Sequence, residues 1–531
     1  MNNYKAKAAE FLNIADDFRL GSLPTEQQHP LTGELSDLAK NNLREACELI
    51  RKIDVSVMDS LQNRLDDIYS MALAVQDTLL SGGNVFLSGC GATGRLALTL
   101  EWIWKQEAGR LNTNPQQLTA FMSGGDLAVV KAIEAFEDHP EYGERQLLEL
   151  GFGSNDLLIA ITEGGETPFV IGTAEAAAAA SDRKPFFVYC NPTEELCSLV
   201  ERSRRVIENP QIIPVCLTSG PQVLSGSTRM QATTIQQLAV GTALFAAGTQ
   251  KNQAVSKELI SREISILSNY FKKLDIQPLV EFIEEESSIY KKGQYLVYET
   301  KDYPMAVATD TTERAPTFSL TPFENYDDTS PVPSWAYLSI PGTRHSLEAW
   351  ETLLGHAPRT LEWPGVKEKA GINRMKGYDI SRKALPRRQK LLAGKELHLF
   401  RILRSGADME WLLGKHSWKI NTSSLNLLQE FTLLKILMNT HSTLVMGRMN
   451  RYESNIMLHV RPSNNKLIDR SARYILHLLK RDGIVREYSE VVTEIFRQTE
   501  FLQEDESIVW EVYKSLKSLI PAEPGKTRER R

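Results

Sequence analysis

Residues 84–95 read Asn84-Val85-Phe86-Leu87-Ser88-Gly89-Cys90-Gly91-Ala92-Thr93-Gly94-Arg95, and the helix-like segment Leu96–Lys105 follows directly. The apolar start is typical of a buried parallel strand. The three glycines allow a tight turn that brings backbone N–H groups close to an anion at the start of the next helix. The pattern predicts a phosphate cradle, although the same spacing also fits a dinucleotide-binding turn or a turn without a ligand.

The composition favours a protein that acts on a small molecule. A length of 531 residues favours roughly three or four structural units, and 42% hydrophobic with 24% charged residues is typical of a soluble globular chain. The net charge of −6 gives no basic field for nucleic acid or a membrane surface. Met1–Leu20 lacks the apolar core of a signal peptide or spanning helix, so we expect a cytoplasmic location.

The metal-binding residue types show no ligand spacing. The five cysteines contain no Cys-x-x-Cys pair, and the nine histidines contain no His-Glu-x-x-His pattern. A disulfide framework, a metal site and a cofactor are therefore not expected.

A first α/β unit is predicted after an N-terminal helical arm. Short apolar runs alternate with helical segments at Asn84–Leu87, Leu157–Thr162, Phe186–Cys190 and Ile212–Leu217. This alternation predicts a parallel sheet covered by helices on both faces, with ligands at the carboxyl ends of the strands. The first loop (residues 89–95), the second loop (162–168) and the third loop (219–229) should therefore converge. The third loop leads into a predicted helix from Thr228 to about Gly248.

A second unit echoes the first as an internal repeat. Its strand candidates are Gln294–Tyr298, Met305–Thr309, Trp335–Ile340 and Glu396–Leu403, and Asn421–Ser424 precede a long apolar helix from Leu425 to about Met449. The loop Glu299–Pro304 contains no glycine, so the sequence predicts one phosphate cradle and not two.

Helices predicted after Lys466 could cover the pocket, ahead of a polar tail, Pro521–Arg531. The predicted helices are Ile468–Arg481, Val485–Phe501 and Ser507–Leu519. The predicted domains are the arm (1–80), the first unit (81–270), the second unit (271–455) and the helical lid with the tail (456–531).

Several motifs, in this order, resemble those of SIS-domain (sugar isomerase) proteins. They are Pro24-Thr25-Glu26 with Pro30-Leu31-Thr32, Ser88–Arg95, Gly164–Val170, Cys190-Asn191-Pro192, Gly220–Met230 and Ser463–Leu467. The individual units resemble N-acetylmuramic acid 6-phosphate etherases, and the two-unit layout resembles the glucokinase regulatory protein. The resemblance implies an α/β fold with two flavodoxin-like SIS units, each a parallel sheet flanked by helices, between the arm and a C-terminal helical lid.

The resemblance also implies two catalytic glutamates. The family's Glu-x-x-Glu-Asp run matches Glu134–Asp138 and points to Glu137, and its Asp-x-x-Glu-x-x-Pro-Thr-aromatic run matches Asp310–Phe318 and points to Glu313. Etherases are dimers that borrow the second glutamate from the other subunit, so a fused pseudo-dimer would rebuild one complete site within a monomer. The residues alone, without the resemblance, favour a solvated helix carboxylate for Glu137 and a cap or salt-bridge partner for Glu313.

A sugar phosphate is the ligand that the resemblance implies. The expected binding residues are Gly91, Thr93, Gly94, Thr162, Gly164, Ser227, Thr228, Arg229 and Lys466. The chain departs from the family pattern at Ala92, Glu163, Glu166 and Gln231. The two acids of the second loop would repel a phosphate unless they point away from it or bind sugar hydroxyls.

Two hypotheses about function follow. The first is a lyase that removes lactate from N-acetylmuramic acid 6-phosphate with the two glutamates. The alternative is a non-catalytic regulator of a sugar kinase that responds to a hexose or amino-sugar 6-phosphate. Pro316 favours the first, because the resemblance places a histidine there in the regulatory protein. An aldose–ketose isomerase shares the fold, but no catalytic residues could be matched to it.

Overall fold

The computed structural model describes residues 3–18, 20–133, 136–248, 255–462, 464–503 and 506–518. Glu134 and Ser463 of the two motifs, Leu519 and the tail Pro521–Arg531 lie outside the described residues. None of the helices within the described ranges has the length and apolar character needed to cross a membrane.

The N-terminal region is helical, as predicted. Pro24 and Pro30 each open a short 3-10 turn, because a proline lacks the N–H that the first helical position leaves unpaired. Asn42 caps the longest helix by accepting a hydrogen bond from the backbone N–H of Glu45. The helices are α1 (Asn3–Ile14), α2 (Leu35–Asn41), α3 (Leu43–Ser60) and α4 (Leu65–Leu80).

The first unit contains a five-stranded, fully parallel sheet, as predicted. Its strands are β1 (Val85–Gly89), β2 (Leu118–Met122), β3 (Leu157–Ile161), β4 (Phe186–Tyr189) and β5 (Ile213–Cys216). The order β2-β1-β3-β4-β5 is the flavodoxin-like order, in which ligands bind at the carboxyl ends of the strands. The helices are α5 (Gly91–Leu111), α6 (Pro140–Glu149), α7 (Pro168–Ala180), α8 (Thr193–Leu199), α9 (Glu201–Ile207) and α10 (Gln231–Gly248).

Strand β2 is absent from the sequence prediction. It is an edge strand that pairs only with β1, and Thr119 interrupts its apolar run. A five-residue run with a polar residue carries too weak an apolar signal to be separated from a helix by periodicity. Helix α5 also extends to Leu111, beyond the predicted end near Gln106.

The second unit contains a mixed sheet. Its strands are β6 (Tyr295–Glu299), β7 (Ala336–Ser339), β8 (Leu397–Ser405), β9 (Asp408–Leu413) and β10 (His416–Asn421), in the order β10-β9-β8-β6-β7. Strands β7, β6 and β8 are parallel, whereas β8, β9 and β10 form an antiparallel meander that the sequence analysis did not predict. Its helices are α11 (Lys257–Lys273), α12 (Gln277–Lys291), α13 (Pro304–Phe318), α14 (Ser346–Leu354), α15 (Lys367–Ala370), α16 (Ile372–Lys376), α17 (Leu385–Leu391) and α18 (Leu427–Arg448).

The strand prediction for Met305–Thr309 is wrong, because these residues form the first turns of α13. Pro304 occupies the first position of that helix, where its fixed φ favours helix initiation. The apolar run is too short to distinguish a strand from a helix, whereas the proline before it indicates the start of a helix.

Two long helices form the centre of the molecule. Nearly every residue of α10 and α18 is buried, which is expected for helices that are covered on all sides. They pack against each other, and α5 packs against α13, so each unit contributes one helix to each pair. The two units therefore share one continuous core.

The C-terminal region is helical, as predicted. A short antiparallel pair, β11 (Tyr452–Glu453) and β12 (Ile456–Met457), precedes α19 (Asn465–Arg481), α20 (Tyr488–Thr499) and α21 (Ile508–Ser518). Helix α1 packs against α20, and α19 packs against both α20 and α21. The two ends of the chain thus form one helical layer.

Asp310 of α13 joins the two units through a buried polar network. Its Oδ1 accepts a hydrogen bond of 2.8 Å from Arg314 Nε, and its Oδ2 accepts one of 3.0 Å from Arg229 Nη1 in the third loop. Glu286 also pairs with Arg314 at 2.7 Å. Burial alone would raise the pKa of Asp310, but Arg314 and Arg229 together hold that pKa below its usual value.

We predict that Asp310→Asn lowers the free energy of unfolding by about 3–5 kcal/mol, because it leaves the buried guanidinium group of Arg229 without its ion-pair partner, whereas Arg314 keeps Glu286. The same change at Asp328, which pairs with Arg374 on the surface, should cost about 0–1 kcal/mol. Urea unfolding followed by tryptophan fluorescence measures both. Equal losses in the two variants would contradict a special role for Asp310.

Candidate functional site

The first loop turns directly into helix α5 at the carboxyl end of β1. Gly91 adopts a φ of +54°, a conformation that residues with a Cβ rarely adopt, and its position faces open space. The Thr93 hydroxyl accepts a hydrogen bond from the Cys90 N–H at 3.0 Å and donates one to the Cys90 carbonyl at 2.9 Å. The hydroxyl of Thr93 therefore holds the turn together. The N–H groups of Thr93 and Gly94 donate to the Cys90 carbonyl at 3.1 and 3.4 Å. The N–H groups of Gly91 and Ala92, at the first two positions of α5, are therefore the ones available to an anion.

Glu137 lies beside the first residue of this turn. It belongs to a 3-10 turn at Phe136–Asp138. Its Oε2 accepts a hydrogen bond from Cys90 Sγ at 3.7 Å, and its Oε1 accepts one from Asn464 Nδ2 at 2.8 Å. Burial raises the pKa of Glu137, although the charge of Lys466 opposes this shift. The carboxyl group of Glu137 is therefore easier to protonate than an ordinary carboxyl group.

Glu313 reaches the same turn from the second unit. It lies on α13, is 8% exposed, and forms an ion pair with Arg95 Nη1. The rest of the Arg95 guanidinium is fixed by the carbonyls of Val129 at 2.8 Å and Ala128 at 2.9 Å. Glu137 thus contacts Cys90, just before α5, and Glu313 contacts Arg95, five positions later in the first turns of α5.

Glu163 is a third glutamate that interacts electrostatically with residues of this turn. It follows β3, and its burial raises its pKa to about 7, with Lys466 opposing the shift and the charges of Glu313 and Glu166 adding to it. Burial, together with the charges of Glu137 and Glu163, also raises the pKa of the Cys90 thiol. The groups that affect one another in this way form a single cluster at the carboxyl end of the first sheet.

The second loop holds Thr162, Gly164 and Glu166 in fixed positions. The Thr162 hydroxyl contacts the Thr167 hydroxyl at 3.2 Å and accepts a hydrogen bond from the Gly165 N–H at 3.3 Å. The Gly164 carbonyl accepts a hydrogen bond of 3.0 Å from Asn191 Nδ2. Thr162 therefore supports the loop, and Glu166 pairs with Lys466 of the lid.

The third loop is held by the arm and the lid. The Thr32 hydroxyl donates to the Val223 carbonyl at 2.8 Å, and the Tyr474 hydroxyl donates to the Ser225 carbonyl at 2.8 Å. The buried Ser227 hydroxyl has no hydrogen-bond partner among the described residues, and Thr228 is half-buried. Such an orphaned group calls for a donor or acceptor from water or a ligand.

Arg229 points toward the second unit. Its guanidinium pairs with Asp310 at 3.0 Å and donates to the Thr443 hydroxyl at 3.0 Å. The charge of Glu313 acts on Arg229, so this side chain lies near one of the two glutamates while its hydrogen bonds are made within the unit interface.

Glu26 of the arm fixes the lid to the first unit. It accepts hydrogen bonds from Arg470 at 2.6 and 3.0 Å and from Arg473 at 3.1 Å, and its carboxylate lies 3.9 Å from Lys466 Nζ. Arg470 also lies against Gly226, so the lid helix α19 covers the third loop. The arm, the lid and three loops therefore meet at one place.

Four contributors to this cluster were not predicted as site residues. Cys90, Arg95 and Glu26 stand within the quoted motifs, but the partner of each lies far away in the sequence. Asn464 caps α19 by accepting a hydrogen bond from the Leu467 N–H at 2.9 Å. An Asn before an amphipathic helix is a recognisable capping signal, although its second contact with Glu137 is visible only in the fold.

A cavity of about 470 Å³ lies elsewhere, beside the loop that follows β6. Trp102, Lys301, Glu351 and His356 are among its lining residues, and no predicted site residue lines it. Within the described ranges, no group of three or more His, Cys, Asp or Glu side chains could hold a metal ion.

We predict that Glu163→Gln stabilises the protein at pH 8 but not at pH 4.5. The folded-state pKa of Glu163, about 7, lies above the ordinary value of 4.5, so protonation of Glu163 favours the folded state. This contribution to the free energy of unfolding is lost as the pH rises through 7, and the Gln variant is then the more stable protein. After allowance for partial exposure, the gain at pH 8 should be about 1–3 kcal/mol. Urea unfolding at the two pH values measures it. The exposed Glu194→Gln serves as control, and a gain that does not depend on pH would contradict the prediction.

Comparisons with known proteins agree with this architecture. Residues 68–178 match the family model of the glucokinase regulatory protein N-terminal SIS domain. An N-acetylmuramic acid 6-phosphate etherase of Rhodopirellula baltica is 28% identical over 260 residues, which are 47% of this chain and 80% of that protein. A protein of the same name from Cutibacterium acnes is 30% identical over 40% of this chain and 64% of its own length.

Among solved structures, a tagatose-6-phosphate ketose/aldose isomerase from Escherichia coli aligns with 78% of this chain and 96% of its own, at a TM-score of 0.40 and 10% identity. The match to the family model covers residues 68–178, where the glycine-rich turn and Glu137 lie. Residues 68–178 therefore resemble a SIS domain of the glucokinase regulatory protein type, and part of the chain is similar in sequence to N-acetylmuramic acid 6-phosphate etherases.

Proposed function

We propose that this protein is a carbon–oxygen lyase of the N-acetylmuramic acid 6-phosphate etherase type. One observation carries the proposal. Glu137 of the first unit contacts Cys90, and Glu313 of the second unit contacts Arg95, so the two halves of the chain supply one carboxyl group each to the same helix start. A protein that only binds a sugar phosphate has no evident need for this pair.

The reaction requires two proton-transfer groups. In the ring-opened sugar, the proton at carbon 2 is acidic because it lies beside the aldehyde. One carboxylate takes this proton, the bond between carbon 3 and the ether oxygen breaks, and a carboxylic acid protonates the departing oxygen to release lactate. Each such group contributes ~10²–10⁴-fold to the rate.

The two glutamates have the unequal surroundings that an acid–base pair needs. Glu137 accepts hydrogen bonds from a neutral thiol and a neutral amide, and burial raises its pKa. Glu313 is ion-paired with a guanidinium. Glu137 is therefore the carboxyl group of the pair that we expect to hold the proton.

The phosphate group would lie at the glycine-rich turn. We propose that the N–H groups of Gly91 and Ala92 bind it, together with the orphaned hydroxyl of Ser227 and with Thr228. Gly94 allows the close approach of α5 to β2, because a Cβ there would lie 2.4 Å from Met122 Cβ. Lys466 is a cation of the lid whose charge acts on Glu137 and Glu163 beside this turn.

The test is the release of lactate from N-acetylmuramic acid 6-phosphate by the purified protein. Lactate should appear above the no-enzyme control, and Glu137→Gln or Glu313→Gln should each lower the rate by ~10²–10⁴-fold because each removes a proton-transfer group. The exposed Glu194→Gln on α8 should keep full activity. Absence of lactate with the unmodified protein would refute the lyase assignment.

The match to the glucokinase regulatory protein domain favours a second candidate. In this case the protein is a non-catalytic regulator that binds a sugar kinase and responds to a hexose or amino-sugar 6-phosphate. The helical layer formed by the arm and the lid, which covers the third loop, is the observation that supports it. For both candidates the cytoplasm remains the expected location, and a monomer the expected state.

The regulator candidate predicts inhibition of a sugar kinase from the same organism on mixing, with a hexose 6-phosphate changing the degree of inhibition. A coupled kinase assay with and without the protein measures this effect. Here Glu137→Gln and Glu313→Gln should have no influence on inhibition at saturating ligand. An unchanged kinase rate in all mixtures would contradict the regulator assignment.

A further inference from the structure

Glu166 folds back into the second loop instead of extending into solvent. The residue is 4% exposed. A Cβ built on Gly164 would lie 2.2 Å from Glu166 Oε2, so the carboxylate occupies the space where a side chain at position 164 would lie. The glycine at this position is therefore needed for the carboxylate of Glu166 as well as for the turn.

One oxygen of the Glu166 carboxylate has an ion-pair partner, and the other has no hydrogen-bond partner among the described residues. Its Oε1 forms an ion pair with Lys466 Nζ. Its Oε2 is buried and has no hydrogen-bond partner among the described residues. A buried oxygen of this kind is costly unless water or a ligand supplies a donor, so the arrangement is incomplete as it stands.

Lys466, at the start of the lid helix α19, forms an ion pair with this carboxylate. Arg470 and Arg473, one and two turns further along α19, are engaged by Glu26. Asn464, two residues before Lys466, donates to Glu137. The start of α19 thus contacts Glu137 and Glu166 together, at the place where the positive end of a 17-residue helix would also attract an anion.

We propose that Glu166 is a built-in anion that occupies the Lys466 side of the phosphate subsite, and that the phosphate of the sugar ligand must displace it. Glu166 therefore sets the affinity and the phosphate specificity of the site. The inference rests on the sugar-phosphate binding proposed above, but not on the elimination of lactate.

Charge explains why displacement is required. Burial would raise the pKa of Glu166, but Lys466 and then Arg202 hold it below its usual value, so the carboxylate stays ionised at neutral pH. Glu137 and Glu163 are further acids near the same lysine. A phosphate beside Lys466 would therefore lie next to an ionised carboxylate that is already paired with this lysine, and like charges at that distance disfavour each other.

The test is calorimetric titration with N-acetylglucosamine 6-phosphate and, separately, with N-acetylglucosamine. In Glu166→Gln the phosphorylated sugar should bind about tenfold more tightly than in the unmodified protein, the equivalent of one removed opposing charge. The affinity for the unphosphorylated sugar should be the same in Glu166→Gln as in the unmodified protein. Glu175→Gln, which removes a carboxylate paired with Arg205 on the neighbouring helix, should bind both sugars as the unmodified protein does.

A second variant guards against a local folding effect. Glu166→Ser removes the charge and most of the side chain, and it should tighten the binding of the phosphorylated sugar as well. Lys466→Met should weaken that binding in the Glu166→Gln background. Circular dichroism confirms that each variant is folded.

Three results would overturn the proposal. They are equal affinity for the phosphorylated sugar with and without Glu166, weaker binding of both sugars in Glu166→Gln, which would make Glu166 a ligand of sugar hydroxyls, and no binding of the phosphorylated sugar by any variant. Tighter binding in Glu166→Gln without any lactate release would support this proposal while refuting the lyase.

Discussion

The carboxylate of Asp310 is the contact on which the geometry of the site depends. It is shared by Arg314 of its own helix and by Arg229 of the third loop, and all three side chains are almost completely buried. Asp310 and Glu313 are three residues apart on α13 and so lie on the same face of that helix. By fixing the rotation of α13 against the first unit, the Asp310–Arg229 pair directs Glu313 to Arg95.

Buried ion pairs often contribute little to net stability, because their desolvation offsets their attraction. The apolar surfaces of α10, α18, α5 and α13 supply the main stabilisation of the unit interface. The polar groups at this interface instead restrict how the apolar surfaces can meet. Lys435 illustrates this point, since its buried ammonium donates to the carbonyls of Arg229 and Met230 and to the Thr234 hydroxyl, which fixes the start of α10 against α18.

The sequence predicts the parts of this structure that local patterns encode. The strand β1 with its glycine-rich turn, the long helices and the lid helices follow from apolar periods and capping residues. The edge strand β2 and the meander β8–β10 escape prediction because short, half-polar strands depend on their neighbours for stability. Met305–Thr309 shows the same limit, since an apolar run of five residues fits a strand or a buried helix.

The candidate site, like the fold, could be predicted from the sequence only in part. Family motifs single out Glu137 and Glu313, and the fold brings both to one helix start, although 176 positions separate them in the sequence. The roles of Thr93, Thr162 and Arg229 could not be anticipated, because a motif gives the residue type but not the direction of its side chain. Their hydrogen bonds are made within the turn, the second loop and the unit interface.

The distribution of cations decides which acids can respond to pH and to a ligand. Arg95 pairs with Glu313, Lys466 with Glu166, and Arg470 with Glu26. Glu137 and Glu163 have no cation within ion-pair distance among the described residues, and burial raises the pKa of each.

Glu163, whose pKa is raised to about 7, therefore changes its charge near neutral pH, and the pKa of Glu137 is shifted in the same direction. Because a phosphate brings up to two negative charges into the same space, its binding favours their protonated forms. The charge that a sugar phosphate would add and the proton that the proposed elimination needs would in this way be coupled through Glu137.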